Sequence, residues 1–277
     1  MELSTRKKNT RELVYFFSIT FCISWIFALL IIKEIIPELP YFVGIVYGPF
    51  LAALILTAIF GKKEDLRSFF KRFYQFKGNV KWIFIILFGF FGIMYSGKFI
   101  WNLFAESPWS MNLMPLNAFL PVLLFQVLIP GLGEEPGWRG FALPRLLELT
   151  TPIKASIFMA LVHWLWHLPT FWLGTGIHNV PAILSILYVL PMTILFTYVY
   201  LKTKGSIGIS ILFHSLHGAL LSLVGFMPSE LDVPISTDLL TTLWIGGGYL
   251  GPYIVALALI WSLTLFAVMK MRGQKNP

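Results

Sequence analysis

Eight apolar runs, each close to the length a helix needs to cross a bilayer, dominate the chain. An α-helix rises about 1.5 Å per residue, so about 20 apolar residues cover a hydrocarbon core about 30 Å thick. The runs lie at about 13–32, 41–60, 82–104, from 117 onward, 153–173, 181–201, 206–226 and 248–269. The fourth begins AFLPVLLFQVLIPGLG and then meets charge, and polar residues also interrupt the fifth. The composition agrees: 57% of residues are apolar and 12% charged, with a mean hydropathy of +0.77, against about 25% charged in a soluble domain. The expected fold is therefore all-α, a polytopic membrane protein of about eight transmembrane helices. It forms a single domain over 1–277, with its functional core at about 117–226. A soluble enzyme, a disordered chain and a disulfide scaffold are excluded. The single cysteine, Cys22, lies in an apolar run, where a packed thiol is expected.

The net charge of +8 comes from topology rather than from a nucleic-acid surface. Nineteen of the 21 Lys and Arg residues fall in the N-terminal tail, the alternate connections and the C-terminal tail. The exceptions are Lys33 on the other side and Lys98 inside the third run. The positive-inside rule then places both termini in the cytoplasm. The partners expected on this basis are the lipid bilayer and anionic headgroups, with no nucleic acid. The first run is too long for a signal peptide and has no clear cleavage site, so it is read as a retained helix. The segment 61–81 interleaves five aromatic residues with Lys and Arg. It suits a short interfacial helix, aromatics down and basic residues toward headgroups. Residues 227–247 lack Lys and Arg and read as an outer loop.

Ionisable residues inside spans are costly and mark function by default. They concentrate at three places. Glu134 and Glu135 are adjacent in the fourth run, and Arg139 follows four residues after Glu135. That spacing puts Glu135 and Arg139 on one helical face, where they can pair and leave Glu134 to act as a general base on water. The bland alternative is a charge cluster that fixes the helix end. His163 and His167 are also four apart, a spacing that suits two metal ligands or one catalytic histidine with a packing neighbour. His214 and His217 are three apart; each can instead be a plain hydrogen-bond link between helices. At about 1.5 Å per residue, His214 lies roughly 12 Å and His167 roughly 20 Å into their runs. The three clusters are expected to meet in one polar cavity open to the cytoplasm.

The ordered set resembles the CPBP family of CAAX proteases and bacteriocin-processing proteins, also called Abi. That family carries Glu-Glu-x-x-x-Arg, then an aromatic residue four before a histidine, then His-x-x-x-Asn on successive membrane helices. Glu134, Glu135 and Arg139 match the first motif, His167 the second and His214 the third. Two positions depart: His163 stands at the aromatic position and Gly218 at the Asn position. The resemblance implies an intramembrane endopeptidase in a bacterial plasma membrane, with its active site facing the cytoplasm. Its substrate would be a membrane-associated or CAAX-like peptide or protein. Glu134 with His167 would activate water, and His214 would stabilise the oxyanion. Gly218 offers no side-chain donor, so His217 or a backbone N–H would have to take the place of the Asn.

No cofactor is needed for that reading. A metal-dependent hydrolase is the second reading, with Zn²⁺ held by Glu134 and by His163, His167, His214 or His217. A third is a catalytically impaired bacteriocin-immunity or scaffold protein. A transporter is disfavoured, because no internal repeat is present.

Overall fold

The computed structural model describes residues 3–104, 110–171, 182–225 and 247–272. These residues form helices and short turns, with no strand among them. Helix α1 is Leu3–Ile32 and α2 is Glu38–Phe60. A short α3, Lys63–Lys71, runs into a 3₁₀ turn at Arg72–Tyr74 and precedes α4, Val80–Asn102. The next element is one long broken helix, Leu116–Leu149. It consists of α5 (Leu116–Gln126), α6 (Leu132–Glu135) and α7 (Leu143–Leu149), joined by π-helical turns at Val127–Gly131 and Pro136–Ala142. Then come α8 (Pro152–Phe171), α9 (Ala182–Lys202), α10 (Ile207–Leu223) and α11 (Gly247–Met271).

Among the described residues, six helices are long and apolar enough on their own to cross a membrane. The two remaining long helices, α8 and α10, coincide with the runs at 153–173 and 206–226. They carry His163, His167, His214 and His217, and α10 has only 17 residues. The outward faces are greasy, with Phe84, Phe88, Leu120, Leu124 and Leu265 exposed. A soluble domain rarely shows so much contiguous apolar surface. The chain is a polytopic all-α integral membrane protein.

Three details depart from the sequence reading. Helix α1 starts at Leu3 rather than near 13, because the polar residues of the supposed tail have partners on α7. Asn9 donates to Glu148 at 2.6 Å and Arg145 donates to Glu12 at 2.7 Å, which lets Asn9 and Glu12 be buried. In the segment 61–81, Arg72 turns inward rather than toward headgroups. It donates to the carbonyls of Gly205, Gly140 and Arg139 and to the Tyr200 hydroxyl. Cys22 is exposed on the outside of α1 rather than packed. The loop read at 227–247 and His178 lie outside the described residues, apart from Gly247 itself.

Two apolar clusters hold the bundle together. One centres on Phe16, Trp138 and Phe141, where Phe16 stacks on Phe141 at 5.2 Å and meets Trp138 edge-on at 5.5 Å. The other centres on Phe90, Phe196 and Phe213, with Phe196 and Phe213 stacked at 4.0 Å. Three of the prolines inside the spans share one consequence. A helical proline lacks the N–H that its i−4 carbonyl would accept, and lipid offers no replacement. Here neighbouring helices supply it. Ser24 donates to Ile45 O, four before Pro49, at 2.7 Å. Ser215 donates to Gln126 O, four before Pro130, at 3.0 Å. Trp261 donates to Leu187 O, four before Pro191, at 2.9 Å.

The broken helix lies directly against α2, and Gly137 permits it: a Cβ there would meet the Pro49 backbone at 2.5 Å. Gly137→Ala is therefore expected to lower the melting temperature of the detergent-purified protein, with overpacking costing about 1–3 kcal/mol. Gly89→Ala, on α4 with nothing within 4 Å of the added Cβ, is the control and should leave it unchanged or raise it.

Candidate active site

The three polar clusters line one cavity of about 320 Å³ between the two apolar clusters. Glu134 and Glu135 enter it from α6, four residues of regular helix between the two π-helical turns. A π turn widens the helix by one residue and re-aims the side chains that follow, and such turns are frequent at functional sites. The prolines at 130 and 136 fix where the widening occurs. The Tyr47 hydroxyl of α2 donates to Leu128 O and secures the first turn.

The two glutamates are both buried yet have separate partners. Glu135 Oε1 receives Arg139 Nη1 at 3.0 Å and His214 Nδ1 at 2.8 Å. Arg139 is buried too, and its guanidinium lies over the Phe196 ring at 4.1 Å. A carboxylate taken out of water needs this kind of compensation. Glu134 stands outside that pairing. Its Oε2 lies 3.0 Å from His163 Nε2, and the His163 and His167 rings are 4.8 Å apart. Trp138 and Trp166 pack against these imidazoles and set their orientation. The Thr170 hydroxyl caps the His167 carbonyl at 2.7 Å.

All five residues read as catalytic in the sequence, Glu134, Glu135, Arg139, His167 and His214, face this cavity. The direct partner of Glu134 is His163, not His167. The metal candidates divide. Glu134, His163 and His167 present ligand atoms within 4.8 Å of one another. His214 is instead bound to Glu135, and His217 to the Tyr188 hydroxyl on α9, so neither joins that group. The sequence reading passed over Gln126, Tyr188, Thr193 and Phe196, which also line the cavity. Gln126 was visible as the one amide inside LLFQVLIPGL, whereas the other three carry no signal in an apolar or weakly polar run.

Residues 116–220 match the family described as Type II CAAX prenyl endopeptidase Rce1-like, a stretch that holds every residue of the site named so far except Tyr47. A CAAX prenyl protease 2 from Methanococcus maripaludis is 30% identical over 186 residues. The alignment takes in 61% of this chain and 66% of that relative, just under two thirds of its length. The chain is similar to this family over the stretch that holds the site. The match spans the broken helix, α8, α9 and most of α10, which build the cavity together with Ile45 and Val46 of α2.

Removing one partner of a buried ion pair leaves an uncompensated charge and costs about 3–5 kcal/mol. Arg139→Ala should therefore sharply lower the melting temperature. Lys8→Ala, which removes an exposed lysine 3.8 Å from Glu12, should barely move it.

Proposed function

We propose that the chain is an intramembrane endopeptidase, with Glu134 as the base and His214 as a donor to the oxyanion. The observation that carries this reading is the division of labour between the glutamates. Glu135 is committed to Arg139 and His214, while Glu134 faces the cavity with His163 as its hydrogen-bond partner. A water held by Glu134, His163 and His167 passes a proton to Glu134 as its oxygen bonds to the carbonyl carbon. The carbonyl π pair moves onto oxygen. Collapse of the tetrahedral species restores C=O, breaks C–N, and sends the amine away with the proton that Glu134 returns. Glu135 accepts from His214 Nδ1–H and so orients the ring, leaving Nε2 to face the oxyanion; Nε2 carries a proton to donate only when the ring is cationic.

The largely apolar lining of the cavity suits a substrate presented from a membrane. A C-terminal peptide carried on a prenylated cysteine is the substrate class that the relative's name suggests. The Lys and Arg distribution supports termini in the cytoplasm and cleavage reached from that face of a bacterial plasma membrane.

A metal-dependent version is the second reading, favoured by the Glu134–His163–His167 group. One carboxylate and two imidazoles are the donor types that zinc accepts, and a bound Zn²⁺ would lower the pKa of water.

The test is cleavage of fluorogenic peptides, prenylated and unprenylated, by the detergent-purified protein. Glu134→Gln should lower kcat about 10²–10⁴-fold, the usual worth of a positioned base. A chelator should leave the wild-type rate unchanged. Loss of activity to chelator alone would move Glu134, His163 and His167 from general-base work to metal ligation.

A further inference from the structure

Gln126 is the last residue of α5, where the broken helix opens into its first π turn. Pro130 removes the i−4 donor to the Gln126 carbonyl, and Ser215 Oγ of α10 donates to that carbonyl at 3.0 Å. That bond pins Gln126 to α10 beside His214. The Gln126 side chain then lies over Gly218, one helical turn beyond His214 on the same face. A Cβ at 218 would come within 2.5 Å of Gln126 Oε1, 2.8 Å of Cδ and 3.1 Å of Nε2. The amide of Gln126 thus fills the volume that any side chain at 218 would enter. It lines the same cavity as Glu134, His163, His167 and His214.

Three other polar side chains of the cavity are committed elsewhere. His217 is bonded to the Tyr188 hydroxyl, and its ring sits edge-on to Phe90 at 5.2 Å. Thr170 is committed to the His167 carbonyl, and Glu135 to Arg139 and His214. Among the described residues, no hydrogen bond reaches the Gln126 side chain, although its backbone carbonyl is held. Here is a carboxamide with two N–H donors, anchored through its backbone and turned into an apolar cavity beside an imidazole.

We infer that the Gln126 side-chain amide is the second donor to the oxyanion, acting beside His214 from a different helix. The inference rests on the protease reading. In the addition step the Gln126 N–H hydrogen-bonds the oxygen that receives the carbonyl π pair. No proton leaves the amide, and the bond made and the bond broken are those of the hydrolysis itself. The glycine at 218 is then no defect. It is the clearance this amide needs.

The experiment measures kcat and KM separately for wild type, Gln126→Met, Gly218→Asn and the double variant Gln126→Ala/Gly218→Asn, with melting temperatures for each. Gln126→Met keeps the length and apolar stem but has no donor. Its kcat should fall about 10²–10³-fold, as removal of one oxyanion donor does, with KM nearly unchanged. Gly218→Asn alone should also lose activity, because Gln126 already fills the space. The double variant moves an amide to position 218 and should recover at least tenfold over Gln126→Met.

A Gln126→Met rate within threefold of an active wild type overturns the inference and leaves the protease reading standing. A Gly218→Asn variant faster than wild type also overturns it. So does a double variant that melts like wild type but recovers nothing. A wild type that cleaves no prenylated or unprenylated peptide overturns the protease reading and this inference with it.

Discussion

Two carboxylates one residue apart, both shut away from water inside a membrane protein, are the constraint on which the site depends. Neither can be left alone in such a medium. The chain meets the demand asymmetrically. Glu135 is met by Arg139 from the next turn of its own helix and by His214 from α10. Glu134 is met by His163 from α8. Three helices must hold their register for these contacts to exist. The aromatic packing of Trp138, Trp166 and Phe196 around the ionic groups is what holds it.

Three prolines within the bundle bind helices to one another. Pro49, Pro130 and Pro191 each lack a backbone donor, and a neighbouring side chain donates to the carbonyl four residues before: Ser24 to Ile45, Ser215 to Gln126, Trp261 to Leu187. Apolar surfaces alone are weak glue between helices in lipid, because lipid tails are as apolar as leucine. A proline-freed carbonyl gives an interhelical bond of defined direction. The bond from Ser215 to Gln126 does this at the cavity wall, so the distortion of the broken helix and the placing of its side chains have one origin.

Much of this was legible in the sequence, because hydrocarbon thickness fixes run length and burial makes charge conspicuous. The eight runs correspond to the long helices, and the Glu135–Arg139 pair follows from a four-residue spacing. Four features were not legible, for identifiable reasons. The early start of α1 depends on Glu148 and Arg145, more than 130 residues away. His163 partners Glu134 through tertiary packing that local spacing does not encode. Gln126 acquires its place only through its contacts with Ser215 and Gly218 on another helix. The outward side of Cys22 was hidden because a helix apolar all round shows no face by pattern.

That outward thiol has a practical consequence. With one cysteine in the whole chain, and that one facing the lipid from the first apolar run, a thiol-directed label there would sit at a single known position among lipid tails. Because α1 packs against α2 and reaches α7 through its polar end, a probe at Cys22 offers a fixed reference point for distance measurements to labels placed around the cavity.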